Sequence, residues 1–236
     1  MKKMIVAIDG PAAAGKSTIA KKVASILGYT YVDTGAMYRA FTYYVLKNGI
    51  DPKDESASIA VIKDVDIKLE PNGKVLCNDE DVTAVIRSNE VSQNVSFIAS
   101  YKEIRLELVK AQRKMAESVS VVMDGRDIGT YVLPNADVKI YQVASVKARA
   151  ERRFKENVEK GIPCTIEQLE KDIETRDYID SHRDFAPLKQ ASDAILLDTS
   201  DMTIDEVVAR VLEIIKEKAG NQQWQTVLLQ LLAHLM

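Results

Sequence analysis

Short apolar segments alternate with amphipathic segments along most of this chain. Five apolar runs are predicted as β-strands, over residues 5–8, 29–32, 119–123, 138–143 and 194–197. Apolar residues at helical spacing predict helices after Gly15, over 36–46, over 102–116, from about Val146 and over 204–216. Short apolar strands that are separated by helices are typical of a parallel sheet covered on both faces. The pattern therefore predicts an α/β fold.

Two helix starts are marked by capping boxes, in which the side chain of the first residue and that of the residue three positions later each accept a hydrogen bond from the other's backbone N–H. Thr203 with Glu206 precedes the last helical stripe, and Thr165 with Gln168 marks another start. The apolar stripes of the helices over 102–116 and 204–216 are predicted to face the core.

Residues 65–85 interrupt the alternation of strands and helices. Apolar residues stand at every second position on either side of a Pro-Asn-Gly turn at 71–73. That arrangement is typical of a β-hairpin. We predict a small antiparallel β insert within the α/β domain.

The last segment, 219–236, is amphipathic and is too short to span a bilayer, which needs about 20 apolar residues. Two interpretations stay open for it. It could make a weak contact with a partner or with its own domain, or it could be a loosely held extension.

Composition limits the classes of function. With 236 residues, 46% hydrophobic and 28% charged, the chain suits one globular domain with a substantial core. Its net charge of −3 argues against a broad electrostatic surface for nucleic acid. Two histidines argue against a Ser-His-Asp hydrolase or a multi-histidine metal centre. We expect a monomer with no nucleic-acid or membrane partner.

The cysteines and the first residues bear on the compartment. Cys77 and Cys164 are far apart and lack the spacing of a zinc site, and the first residues lack the pattern of a secretory signal. Free, widely spaced cysteines are usual in a reducing compartment. These features predict a cytoplasmic protein without disulfides.

The sequence that follows the first predicted strand has the P-loop pattern of two glycines with four residues between them, then Lys and Ser. Its residues, predicted to bind ATP, are Gly10, Pro11, Ala12, Ala13, Ala14, Gly15, Lys16, Ser17 and Thr18. Backbone N–H groups and a helix N-terminus in such a loop surround phosphate oxygens. Lys16 would contact the β- and γ-phosphates, and the Ser17 hydroxyl would bind Mg²⁺.

Arginines are concentrated at predicted strand ends and helix starts, where ligands bind in open α/β sheets. They are Arg39, Arg105, Arg126, Arg149, Arg152, Arg153, Arg176 and Arg183. Guanidinium groups hold phosphates in fixed bidentate geometry, and phosphoryl transfer spreads negative charge over several oxygens. Arg149, Arg152 and Arg153 stand at i, i+3 and i+4 and are predicted to share a helix face that closes over the phosphates.

Several acceptors for the γ-phosphoryl group are compatible with these residues. A GTPase switch is disfavoured, because no Asn is followed by Lys and the Asn-Lys-x-Asp motif is absent. A protein that hydrolyses ATP slowly and signals through lid closure would not need the arginine set. A kinase that phosphorylates a nucleoside monophosphate such as UMP or AMP, or a small metabolite such as shikimate, stays open as an alternative.

Four motifs together resemble the bacterial cytidylate kinases. They are Ile-Asp-Gly-Pro at 8–11, Asp-Thr-Gly-Ala-Met-Tyr-Arg at 33–39, Asp-Gly-Arg-Asp-Ile-Gly at 124–129, and Arg-Asp-x-x-Asp-x-x-Arg at 176–183 followed by Ala-Pro-Leu. The resemblance runs from about Met4 to Lys218 and includes the β insert. It implies a P-loop kinase core with a parallel sheet and helices on both faces, a small antiparallel β insert, a helical lid, and transfer of phosphate from ATP to CMP or dCMP with Mg²⁺.

The resemblance also implies a division of the single kinase domain, residues 1–218. The core would comprise about 1–34, 119–144 and 184–218, the monophosphate-binding region about 35–118, and the lid about 145–183. The tail after Ala219 matches nothing expected of the family.

Roles for individual residues follow from the same resemblance. Catalysis is implied for Lys16, Arg39, Arg126, Arg149, Arg153 and Arg183. Binding of CMP is implied for Thr34, Tyr38, Arg39, Ser96, Arg105, Arg126, Asp127, Arg176, Asp180 and Arg183. Among these, Ser96, Arg105 and Asp127 would contact cytosine, and Arg176 with Asp180 the sugar hydroxyls. Mg²⁺ would be held by Ser17 and, through water, by Asp124.

The selection of cytosine over uracil is also supported by a physical argument. Cytosine carries an exocyclic amine where uracil carries a carbonyl, so the Asp127 carboxylate would accept from the first and repel the second. The alternatives for Asp127 are a helix cap or a structural partner of Arg126.

Catalysis needs no general base, since the acceptor oxygen is already anionic. Asp9 is therefore expected to be structural or near the metal.

Overall fold

A computed structural model of the protein describes residues 3–70, 73–159 and 161–219. The amphipathic tail lies outside the described residues except for Ala219, and so do Pro71 and Asn72 of the predicted turn.

A five-stranded parallel sheet forms the centre of the structure, with strand order β2-β6-β1-β7-β8. The strands of the described chain are β1 Ile5–Asp9, β2 Thr30–Asp33, β3 Ile67–Leu69, β4 Val75–Cys77, β5 Glu80–Asp81, β6 Val121–Gly125, β7 Val138–Val143 and β8 Ile195–Asp198. The predicted parallel sheet is confirmed. The run predicted at 119–123 forms a strand two residues later, because Asp124 and Gly125 continue the pairing with Ile8 and Asp9 of β1.

The helices of the described chain include each predicted one and some that were not predicted. They are α1 Lys16–Leu27, α2 Thr34–Lys47, α3 Glu55–Ala60, α4 Asn89–Ile98, α5 Lys102–Met115, α6 Val146–Glu159, α7 Ile166–His182 and α8 Ile204–Ala219. Sequence analysis did not predict α3 and α4. It located only the start of α7, whose apolar residues do not form a clear stripe.

The two predicted capping boxes differ in how completely they form. At α8, the Glu206 carboxylate accepts from the Thr203 N–H at 2.8 Å and the Thr203 hydroxyl accepts from the Glu206 N–H at 3.3 Å. At α7, Thr165 accepts from the Gln168 N–H at 3.2 Å, but the Gln168 side chain donates to Asp172. The second box is therefore only half formed.

The main core lies where α1 and α8 pack against one face of the sheet. Fully buried members include Ile8, Val23, Val211 and Ile214. Clusters on the other face pack α2, α4 and α5 together and against the sheet. Both faces are thus covered, which explains why the central strands are apolar on both sides.

The predicted insert is a three-stranded antiparallel sheet, β3-β4-β5. The hairpin is confirmed, with β5 as an additional strand. Its buried Val75 and Cys77 pack with Ala36 and Ala40 of α2. The insert therefore supports the helix that follows β2.

The carboxyl ends of the parallel strands meet at one edge of the sheet. The P-loop follows β1, α2 follows β2, and the Asp-Gly-Arg-Asp segment ends β6. Open parallel sheets bind ligands at this edge. Among residues 3–70, 73–159 and 161–219, no helix combines the length and apolarity needed to cross a bilayer.

The core predicts the effect of a truncation in α8. Ile214→Ala, at a position with no exposed area, should lower the free energy of unfolding by about 2–5 kcal/mol, because the cavity adds to the lost burial. Urea denaturation measures this change. Ile204→Ala, where the side chain is 50% exposed, should cost less than about 1 kcal/mol. Equal losses for the two variants would contradict the packing described here.

Candidate active site

The loop between β1 and α1 has the backbone geometry of a phosphate cradle. Gly10 has φ 150°, and a Cβ there would lie 1.9 Å from the carbonyl oxygen of Gln142 on β7. Only glycine fits so close to a neighbouring backbone. Gly15, with φ 85°, is the residue before α1, so the loop leads directly into a helix N-terminus.

Lys16 is buried at the start of α1, and its Nζ donates to the Pro11 carbonyl at 2.7 Å. Burial, and then the positive charge of Arg126, lower the pKa of Lys16 to about 7 against the opposing effect of Asp124 and Asp9. An anion placed in the loop would raise this pKa again, because it favours the ammonium form.

Ser17, Asp124 and Tyr31 form a hydrogen-bonded group beside the loop. The Ser17 hydroxyl donates to Asp124 Oδ2 at 2.8 Å, and the Tyr31 hydroxyl donates to Asp124 Oδ1 at 2.9 Å. Burial and the nearby Asp33 raise the pKa of Asp124 to about 6. A cation would relieve both effects. Mg²⁺ usually takes one or two protein oxygens and completes its shell with phosphate oxygens and water, so Ser17 and Asp124 fit this ion.

Asp9, at the end of β1, joins the loop region to the segment after β6. Its carboxylate oxygens accept from the N–H groups of Ile128 at 2.8 Å and Gly129 at 2.7 Å. Burial raises the pKa of Asp9 to about 7, while these two hydrogen bonds act in the opposite direction. These two hydrogen bonds give Asp9 a structural role, which is one of the two roles expected for it.

A cavity opens next to the hydrogen-bonded group of Ser17, Asp124 and Tyr31, between α2, α4, α7 and the end of β6. Nine of the ten predicted CMP-binding residues line it. Its lining is Thr34, Gly35, Tyr38, Val95, Ser96, Ala99, Arg105, Gly125, Arg126, Asp127, Arg176, Asp180 and Arg183. The structure therefore places residues from five separate elements around one space.

Asp127 is held by two buried arginines. Its Oδ2 lies 2.5 Å from Arg105 Nη2, and its Oδ1 lies 3.5 Å from Arg183 Nη2. Both arginines also donate to the Ala99 carbonyl, at 2.9 and 3.4 Å. Asp127 is the residue before the helical turn Ile128–Val132, but its side chain makes no capping bond there, and Arg126 pairs with Asp180 instead.

A second pair crosses the cavity from β6 to α7. Arg126 Nε donates to Asp180 Oδ2 at 2.9 Å. Burial opposes ionisation of Asp180, but the surrounding arginines, Arg126 first, outweigh it and lower its pKa. Burial, and then Arg126, lower the pKa of Arg176 to about 10, and its Nε is a buried donor without a hydrogen-bond partner among the described residues. The cavity therefore offers a guanidinium group for a negatively charged ligand.

Arg39 does not line this cavity in the structure. Its Nη1 donates to Ser92 Oγ of α4 at 2.8 Å and to the Ile86 carbonyl at 3.5 Å. Burial and the positive charges of Arg176 and Arg87 lower its pKa well below the usual value. Contact of Arg39 with a phosphate would require its side chain to leave Ser92.

The three arginines of α6 contact different parts of the structure. Arg149 Nη1 donates to the Ala12 carbonyl at 2.9 Å, so Arg149 reaches the P-loop. Arg152 donates instead to the Thr199 carbonyl after β8, and Arg153 lies 3.8 Å from Glu156. The three arginines share a helix face by their spacing but have different partners, and closure of this face over the phosphates stays a prediction.

Some residues of the site were missed by sequence analysis. Asp177 of α7 accepts from the Ala12 N–H at 3.0 Å, and Gln142 Nε2 donates to the Ala14 carbonyl at 2.7 Å. Arg87 and Asp33 pair at 2.7 Å at the start of α2. Asp177 belongs to the quoted 176–183 motif, which was a signal that could have drawn attention to it. Gln142 and Tyr31 carry no such local signal, because only strand pairing brings them to the site.

Comparison with known proteins agrees with this geometry. The family model described as cytidylate kinase matches residues 6–217. The chain belongs to the cytidylate kinase family. A cytidylate kinase of Anoxybacillus flavithermus is 53% identical over 220 residues, covering 92% of this chain and 98% of that protein. One of Leuconostoc mesenteroides is 56% identical over 214 residues, covering 89% and 96%.

A solved structure supports the fold at lower sequence identity. A gluconokinase from Sinorhizobium meliloti superimposes with a TM-score of 0.50 at 15% identity, covering 94% of this chain and 97% of that one. Membership of the cytidylate kinase family makes this protein a nucleoside monophosphate kinase, a transferase that acts on nucleotides.

The low pKa of Lys16 predicts proton uptake when a triphosphate binds. At about pH 8 most of Lys16 is neutral, and nearby phosphates raise its pKa, so binding should take up a fraction of a proton. Phosphate groups, with a second pKa of about 6, are fully ionised there and add nothing. Calorimetry with a non-hydrolysable ATP analogue in two buffers of different ionisation enthalpy measures the uptake.

The matched control is Lys21→Met, at an exposed position on the same helix, which should leave the uptake unchanged. Binding heats that do not depend on the buffer in the unaltered protein would contradict the low pKa of Lys16.

Proposed function

We propose that the protein transfers the γ-phosphoryl group of ATP to CMP and dCMP, giving CDP and dCDP, with Mg²⁺ as the metal ion. One observation carries the proposal. The segment at the end of β6 contacts Ser17 of the P-loop through Asp124 and forms the acceptor cavity through Arg126 and Asp127. An ATP bound in the P-loop and a monophosphate bound in the cavity would lie on the two sides of this segment. Their phosphate groups would then be next to each other.

On the donor side, the cradle binds the triphosphate through backbone N–H groups, and Lys16 contacts the terminal phosphates. Ser17 and Asp124 would hold Mg²⁺, which supplies positive charge to the donor phosphates. Arg149 is already against the P-loop at Ala12, so it needs little movement to reach a phosphate oxygen.

On the acceptor side, buried guanidinium groups bind the monophosphate. Arg126 and Arg183 line the cavity, and Arg39 joins them when its side chain leaves Ser92. Fixed positive charges in a site that excludes water stabilise the charge of the transition state. The acceptor oxygen is an anion, so orientation and electrostatics suffice and no base removes a proton.

Recognition of cytosine is assigned to Ser96, Arg105 and Asp127. Arg105 and Arg183 hold the Asp127 carboxylate, so it keeps one orientation and stays available as an acceptor at the cavity wall. Ser96 Oγ is buried and has no partner in the part of the chain that is described, so it is ready to bond a base. Arg176 and Asp180 are assigned to the sugar, and Thr34 and Tyr38 to the pocket wall.

The setting we propose is that of a cytoplasmic monomer whose partners are nucleotides. The net charge of −3 supports the absence of a nucleic-acid partner, and Cys77 and Cys164 are free thiols.

The test of the function is a panel of monophosphates with ATP and Mg²⁺ in a coupled assay for ADP. We expect kcat/KM for CMP and dCMP to exceed that for UMP, AMP and GMP by at least about 100-fold, because polar groups of the cavity match cytosine. Lys16→Ala should remove most of the activity with the fold retained. Release of ADP at the same rate without any monophosphate would instead identify a hydrolase.

A substitution of Asp127 tests the assignment of the base contact. Asp127→Asn replaces one acceptor oxygen with a donor, so the ratio of kcat/KM for CMP to that for UMP should fall by about 10- to 100-fold. Steady-state kinetics with both substrates measures it. Asp193→Asn, which removes the same charge from an exposed carboxylate that pairs with Lys139, should leave the ratio unchanged. An unaltered ratio in Asp127→Asn would remove this residue from base recognition.

A further inference from the structure

The carboxylate of Asp177 lies where the P-loop meets the lid helices. Its Oδ1 accepts from the Ala12 N–H at 3.0 Å, and its Oδ2 lies 2.6 Å from Arg149 Nη1. The Asp177 side chain is 22% exposed, whereas that of Arg149 is 5% exposed. Asp177 therefore bonds a loop N–H and a buried guanidinium with its two oxygens at once.

These two partners are donors that a phosphate needs. A backbone N–H of a glycine-rich loop and a nearby arginine are the usual ligands of phosphate oxygens. The other cations of the site also have internal acceptors, since Lys16 donates to the Pro11 carbonyl and Arg126 to Asp180. Asp177 differs because its single carboxylate binds two donors, the Ala12 N–H and Arg149, and both of these would bind a phosphate.

We propose that Asp177 is a positioning residue of the donor site that acts as an internal anion in competition with the donor phosphate. While no triphosphate is bound, Asp177 holds α7 on the P-loop and keeps Arg149 aligned. Binding of the donor displaces the carboxylate from the Ala12 N–H and from Arg149. This inference rests on the proposed function, because it takes the loop to bind the phosphates of ATP.

Competition predicts a definite direction for the change in donor affinity when Asp177 is substituted. When a ligand can bind only after an internal group has been displaced, its affinity is reduced. Its apparent dissociation constant equals the intrinsic one divided by the fraction of the protein in which that group is already displaced. Removing the charge of Asp177 weakens its bond to Arg149 and should tighten donor binding. A purely structural role predicts the reverse, since loss of a lid contact would loosen the site.

The experiment compares Asp177→Asn with Glu174→Gln, which makes the same change of charge at an exposed position one turn earlier on α7. The dissociation constant of a non-hydrolysable ATP analogue with Mg²⁺, measured by calorimetry, should fall by about 3- to 10-fold in Asp177→Asn and stay unchanged in Glu174→Gln. Asp177→Ala should change it in the same direction, which covers the case in which the Asn variant folds poorly.

The second measurement is the affinity for CMP in the absence of a donor nucleotide. A merely structural role of Asp177 would change this affinity in Asp177→Asn, whereas competition leaves it unchanged. An unchanged or raised dissociation constant in Asp177→Asn, or an equal fall in Glu174→Gln, overturns the inference. If the unaltered protein phosphorylates CMP in those cases, the proposed function stands. If the unaltered protein binds no ATP analogue, both fail.

Discussion

The pairing of buried charges at the end of β6 is the constraint on which the rest of the site depends. Asp124 and Asp127, three residues apart, are both almost fully buried. A buried charge without a partner costs several kcal/mol, so each carboxylate requires donors from other parts of the chain. Ser17 and Tyr31 supply them to Asp124, and two arginines of α5 and the α7 end supply them to Asp127. Satisfying these two residues brings the P-loop and the cavity lined by Arg126 and Asp127 next to each other.

The β insert and the segment after it set the position of α2 relative to that strand end. The insert packs its apolar side on α2, and the segment leaving it supplies Arg87 to Asp33 and Ser92 to Arg39. Thr34, at the first turn of α2, donates to the Asp124 carbonyl at 2.7 Å. Apolar packing on one side of α2 and polar contacts at its start therefore fix one wall of the cavity.

Carboxylates of α7 complete the site by forming ion pairs with two of its arginines. Asp180 pairs with Arg126, and Asp177 with Arg149. These pairs let the protein keep a concentration of buried guanidinium groups in a folded state without a ligand. The same groups are suited to phosphates because phosphates, like carboxylates, are anions that accept bidentate hydrogen bonds from guanidinium groups.

The sequence by itself determined what depends on neighbouring residues: the P-loop, the parallel α/β pattern, the insert, and the family to which the motifs belong. Strand periodicity and glycine conformation are local, so they leave a signal in short windows. Tertiary structure alone decided which distant side chains meet. Arg152 binds the loop after β8, Arg39 binds Ser92, and Asp177 reaches Ala12, 165 residues away. Such pairings depend on how helices pack on the sheet, and no local pattern encodes that arrangement.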